Sequence, residues 1–166
     1  MATMPNRSDL DTFDFELLKL MQQNNLLTAE QLAEKVALSP SAIARRLRSL
    51  RRMGAIQSDV SVVAPWVAGE RLWALLHVYL ERHAPRGGHE ALRRHLLEAP
   101  EVQLFLEVSG VHDLVVLISV CDMGEFNDFA DSMLADNPIV RRYETSFVKR
   151  TLKLTTAIPL DGPSNG

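Results

Sequence analysis

With 166 residues, 46% of them hydrophobic and 23% charged, the chain has room for two small domains with modest cores or for one of ordinary size. No apolar run approaches the roughly twenty residues of a membrane span and no basic-then-hydrophobic leader opens the chain, which argues against a membrane or exported protein and predicts a cytoplasmic one. The net charge of −3 averages a split, because residues 1–60 carry eight basic and seven acidic groups and residues 61–166 carry ten and fourteen.

In chain order, residues 1–8 are polar, include Pro5 and are expected to be disordered. Leu10, Phe13, Leu17, Leu18 and Met21 recur with helical period, with Asp9 or Asp11 placed to cap the start. Asn24 and Asn25 break that helix. Thr28 with Gln31 three residues later is a capping box, and it opens a short helix whose apolar positions are Leu32, Ala33 and Val36. Ser39 caps the next helix, Pro40 suits its first turn, and Gly54 ends it. On that helix Ile43, Leu47 and Leu50 form one stripe, while Ser41, Arg45, Arg48 and Arg52 lie opposite. Five arginines occur there with no carboxylate between Lys35 and Asp59, so no partner on the same helix neutralises them. Taken alone, such a face is as consistent with a solvated surface as with a ligand site. Two short helices separated by a tight turn, the second cationic, predict a helix-turn-helix whose second helix enters the major groove of DNA.

Beyond Gly54, residues 55–63 alternate through Ile56, Val60 and Val62 and are read as a short strand, either a wing or a pairing edge for a partner chain. Pro65 and Gly69 mark a linker. Residues 73–80 read as a strand. A helix follows Gly87 and Gly88, with Leu92, Leu96 and Leu97 on one side, and Pro100 stops it. Val102, Leu104, Leu106 and Val108 read as one face of a half-buried strand, and residues 114–120 as a second, nearly all-apolar strand. Residues 123–134 form an amphipathic helix on Met123, Phe126, Phe129, Ala130, Met133 and Leu134. Residues 140–148 and 152–158 read as two last strands. The helix-proline-strand layout around Pro100, Val102 and Ser109 recurs around Pro138, Val140 and Ser146.

The class is therefore α+β. An N-terminal helix-turn-helix domain of winged-helix type (1–63) and a linker (64–71) precede a ferredoxin-like βαββαβ domain (72–160) and a tail (161–166). Helices on one face of an antiparallel sheet leave its other apolar face to be hidden by a second copy, so a dimer at least is expected. Cys121 ends an apolar run and reads as a buried structural thiol with no intrachain disulfide possible. His77, His83, His89 and His95 lack metal-ligand spacing, and no nucleophile-base pair or phosphate loop is present, so neither catalytic nor metal-binding residues are assigned.

The chain resembles the Lrp/AsnC family of feast/famine regulators from about Leu10 to Leu160. The likeness rests on Leu10-Asp11 with Asp14 and Leu17-Leu18, on Ser39-Pro40-Ser41 through Arg46-Leu47, Leu50, Gly54 and Ile56, and on the turn Gly110-Val111-His112-Asp113-Leu114. Residues 145–150 and 155–160 are similar to the family's closing strands. The resemblance implies a sequence-specific transcriptional regulator with no cofactor, assembled from dimers into tetramers or octamers and responding to a free amino acid bound between dimers near residues 110–114. In that turn Gly110 would let the backbone approach a ligand, and Asp113 could accept from an α-ammonium or brace the turn. His112, counted with the effector-binding residues of this turn, could contact an acidic ligand, titrate or merely face solvent. Arg51 departs from the pattern, standing where Glu is common.

On the reading helix, Ser41, Ala42, Arg45 and Arg48 are expected at the groove face, with Arg45 the candidate for guanine, Arg46, Arg51 and Arg52 at phosphates, and the capping Ser39 counted among the DNA-binding residues. One copy would hold DNA weakly given the small local excess of positive charge, so several copies should act together. Effector binding at an assembly interface would then change the spacing of the reading pairs. Two other readings compete: an enzyme on this scaffold, as some tetrapyrrole decarboxylases resemble it, and a metabolite-binding assembly protein with a vestigial reader.

Overall fold

The structure, a computed structural model, describes residues 6–81 and 87–162. By its contacts the chain divides into two units, one of Met1–Val62 with Leu154–Gly166 and the other of Val63–Lys153.

The first unit holds three helices, α1 (Thr12–Gln23), α2 (Ala29–Ala33) and α3 (Pro40–Arg52). Each start is capped as its residues dictate. Asp11 accepts from the Asp14 amide while Asp14 accepts from the Asp11 amide. Thr28 and Gln31 exchange the same pair of bonds, and Ser39 accepts from the Ala42 amide with Pro40 as first residue. Gly54 (φ +81°) then takes the left-handed conformation that ends α3. Leu17, Leu32, Ile43 and Leu50 are fully buried between these helices, each contributing roughly 1.5–3 kcal/mol of transfer free energy.

Three expectations fail here. Arg7–Asp9 form a 3-10 turn capped at Asn6 rather than disorder, and the rest of the expected disordered stretch, residues 1–5, lies outside the described residues. Residues 55–63 form no strand: Val60, Val62 and Val63 are exposed, and no ladder among the described residues pairs them. Residues 152–158 form no strand either, and by its contacts the segment from Leu154 onward groups with the helical unit.

The second unit is one antiparallel sheet of order β2-β3-β1-β4, built from β1 (Leu72–Leu80), β2 (Val102–Glu107), β3 (Leu114–Val120) and β4 (Val140–Phe147). Two helices, α4 (Gly88–Glu98) and α5 (Met123–Ala130), pack on one face. A π-helical turn, Asp131–Ala135, continues α5. This is the expected βαββαβ order with helices on one side. Leu76, Val78, Val116 and Ile118 are fully buried beneath Leu92, Leu96 and Leu134. Alternation sends Trp73, Leu75, His77, Val115 and Leu117, all half-buried, to the helix-free face.

Two details of the reading shift. Leu97 is 72% exposed, one step off the stripe of Leu92 and Leu96. In β2 a register irregularity between Val102 and Leu104 turns Val102 and Phe105 to the core and leaves Leu104 and Leu106 exposed.

Candidate nucleic-acid interface and sensor turn

On α3 the buried stripe of Ile43, Leu47 and Leu50 fixes which residues face out. Ser39, Ser41, Arg45, Arg48, Arg51 and Arg52 are exposed, and Ala42 is half-buried. The five arginines then divide by partner. Arg46 is bound at 2.8 Å to both Asp14 and Asp11 and lies 5.7 Å over the Phe13 ring. Arg51 grips Asp59 through two bonds, at 2.8 and 3.2 Å. Arg45, Arg48 and Arg52 have no carboxylate partner among the described residues. Together with Ser49, Asp9 and Asp14 they line an open depression of about 460 Å³. Arg46 and Arg51 are thus each paired with carboxylates from other parts of the chain, a tertiary role that any phosphate contact by these two would have to compete with. Asp14 is the reason this matters: it is only 9% exposed, and a buried carboxylate needs a cation.

These pairs leave electrostatic traces. Burial pushes the Asp11 carboxyl up, but the Asp14 amide and the Arg46 guanidinium outweigh it and hold the group below the usual aspartate range. The Arg51 hydrogen bond does the same to Asp59.

The turn between β2 and β3 holds the second set of predicted residues. Asp113 is woven into the sheet: its amide donates to the Val78 carbonyl (3.0 Å), its carbonyl accepts from Val108 (2.9 Å), and its Oδ2 accepts from the Leu80 amide (2.8 Å). It thus braces the turn against the end of β1, and among the described residues its other carboxylate oxygen receives no such bond. Gly110 is exposed, its φ is not positive, and a Cβ there would meet open space. Val111 is exposed and Leu114 is core. His112 is half-buried, its ring 4.5 Å from His77 and 6.1 Å from Tyr79. Sequence reasoning missed this cluster, in which Arg142 lies 3.9 Å over Tyr79 and Glu144 pairs with Arg142 at 2.9 Å. Alternation along β1 could have placed His77 and Tyr79 on one face.

Cys121 is exposed, against the expectation of burial, with Sγ 2.9 Å from Arg71 Nη1. The Glu125 carboxylate beside it raises the thiol above its ordinary value, which disfavours a nucleophile. Among the described residues no group of three or more metal-ligating side chains comes together, and no helix is long and apolar enough to cross a membrane. His83 lies outside the described residues.

A helix-turn-helix with an arginine-rich second helix, followed by a ferredoxin-like unit, defines a one-component DNA-binding transcriptional regulator. The chain belongs to the Lrp/AsnC family. A winged helix-turn-helix DNA-binding model matches residues 10–57, and the Lrp/AsnC ligand-binding domain matches residues 74–158. The HTH-type transcriptional regulator y4tD of Sinorhizobium fredii is 34% identical over 92% of this chain and 90% of its own length. The transcriptional activator DecR of Escherichia coli is 28% identical over 92% of this chain and 99% of its own. The structure of the regulator NMB0573 of Neisseria meningitidis, a complex with L-methionine, superposes with a TM-score of 0.83 at 30% identity, covering 92% of this chain and 97% of that one. These relatives are regulators, and on that ground the enzymatic alternative is set aside.

Proposed function

We propose that this regulator reads DNA in the cytoplasm through Ser39, Ser41, Ala42, Arg45 and Arg48, with Arg52 on a phosphate, and answers to a free amino acid. The observation that carries the reading is the division of the arginines. Two are spent on holding α3 in place, and the other three stand without carboxylates on its exposed side. Residues near the start of the second helix reach base edges, and Arg45 suits guanine through paired bonds to O6 and N7. Ser41 and Ala42 are short enough to let the backbone approach.

The effector is assigned to the surroundings of residues 110–114, where the spare Asp113 oxygen suits an α-ammonium and the exposed Gly110 and Val111 leave room. The L-methionine complex of a protein 30% identical to this one supports that class of ligand. A second copy would cover the half-buried Trp73, Leu75, Val115 and Leu117 on the helix-free face, giving a dimer that can assemble further.

Arg45→Ala with Arg48→Ala tests the reader. In fluorescence anisotropy on upstream duplexes the double variant should lose specific retention while keeping its melting temperature; a wild type with no specific retention to lose would mean a vestigial reader. A thermal-shift screen of the amino acids, L-methionine included, tests the sensor, because bound ligand stabilises by mass action. No shift with any of them would remove the amino-acid assignment.

A further inference from the structure

The helical unit is discontinuous: its second piece is the end of the chain, and the sheet unit is inserted between the two pieces. That second piece is held by specific bonds. The Ile158 amide donates to Gln22 Oε1 (2.8 Å), and Gln22 Nε2 donates back to the Ile158 carbonyl (3.1 Å), which fixes the tail to the last turn of α1. Two residues on, Leu160 packs against the core of Leu17, Ile43 and Leu50. The next carbonyl, that of Asp161, accepts from Arg7 Nη2 at 2.7 Å, and the Arg7 guanidinium lies 5.1 Å over the buried Phe15. The tail is therefore pinned on both sides of α1, the helix whose Asp11 and Asp14 anchor Arg46 of α3.

The insertion has a second feature. β1 and β4 are neighbours and antiparallel, so the sheet unit is entered and left at one end of the sheet, where Ala74 pairs with Phe147 and the Val148 amide donates to the Trp73 carbonyl (2.8 Å). Both covalent links to the helical unit leave from this one place, the usual condition for a tolerated insertion. One link is the linker before β1. The other is residues 148–153, and it is closed only by the docking of the tail.

We propose that residues 154–161 are a working part of the DNA reader: a strap that braces α1, and through it α3, while tying both to the end of β4. The proposal rests on the reading of α3 as the DNA-contacting helix only for its affinity arm; the bracing arm stands alone.

The test compares the full chain with a chain ending at Lys153 and with a full-length Gln22→Ala, Leu160→Asp variant. Hydrogen exchange is followed by segment, and affinity for duplex DNA is measured at low salt. Both altered proteins should exchange the amides of 12–23 and 40–52 at least about tenfold faster, because a buried contact and paired bonds are lost. Strands β1 and β3 should exchange as before, and DNA affinity should fall at least about fivefold. Unchanged exchange over 12–23 overturns the strap, as does faster exchange with undiminished affinity. If the shortened chain does not fold, the full-length variant decides. Should the full chain itself fail to hold DNA, the proposed reader fails and exchange alone judges the bracing.

Discussion

At the scale of single residues, the pair Arg46 and Asp14 does most to set where the reading helix stands. Asp14 has a side chain only 12% exposed and Arg46 one 28% exposed, so their attraction is less screened than that of a surface pair. Asp14→Ala leaves Arg46 with only the half-exposed Asp11, and the cost should be about 1–3 kcal/mol, below the value for a fully buried pair. Chemical denaturation monitored on the helical unit checks this. The pH dependence follows from Asp11 and Asp59, whose folded carboxyls titrate below the usual aspartate range. A depressed folded value means that the stabilisation is fully present above the unfolded value, about 3.9, and is lost as pH falls from there through the folded values. Melting temperatures measured from pH 6 to pH 3 should hold steady and then drop below about pH 4, and Arg51→Ala should flatten part of that drop.

At the scale of elements, close packing sets the sharpest limit where α4 begins. A Cβ on Gly88 would lie 2.3 Å from Ile139 Cδ1 and 2.9 Å from Cγ1, and Ile139 is itself buried. Gly88→Ala should cost about 1–3 kcal/mol in a thermal or denaturant melt, as overpacking does, with the flexible end of Ile139 keeping it from costing more. That clash is invisible in sequence, where the same glycine looks like punctuation. The helices themselves were legible, because Asp11, Thr28 and Ser39 each cap through the residue three positions on, and such local bonds are written in local spacing. What failed was non-local. The irregular pairing of Val102 and Leu104 with β3 depends on a strand distant in sequence, and it exchanges the faces that alternation alone assigns. Leu152 and Leu154 look like strand residues, yet among the described residues they pair with neither outer strand, β2 or β4, and the tail goes to Gln22. The site failed in the same way. Counting carboxylates along α3 left Arg46 and Arg51 free, because Asp14 lies 32 positions away and Asp59 belongs to the segment beyond the helix.

At the scale of the whole molecule, charge decides how DNA must be held. The first sixty residues carry a balance of only +1 and the remainder −4, so the long-range field of one copy opposes a duplex and only the local patch of Arg45, Arg48 and Arg52 attracts it. Each phosphate neutralised contributes a slope of roughly −0.9 in the logarithm of affinity against that of salt. One copy placing all three arginines on phosphates gives a slope no steeper than about −3, which leaves little affinity at physiological salt. Two copies joined through their helix-free sheet faces double the number of contacts, so the slope of the pair should be about twice that of one copy, whatever share of the three arginines reaches phosphates. Replacing Leu75 and Leu117 together by Asp puts charge into the half-buried part of that face. The variant should sediment as a single protomer, with its slope falling to that of one copy and its helical content unchanged. A wild type that already sediments as a protomer with the shallow slope would remove assembly from the account of DNA binding. A dimer that persists in the variant would place the interface on another face.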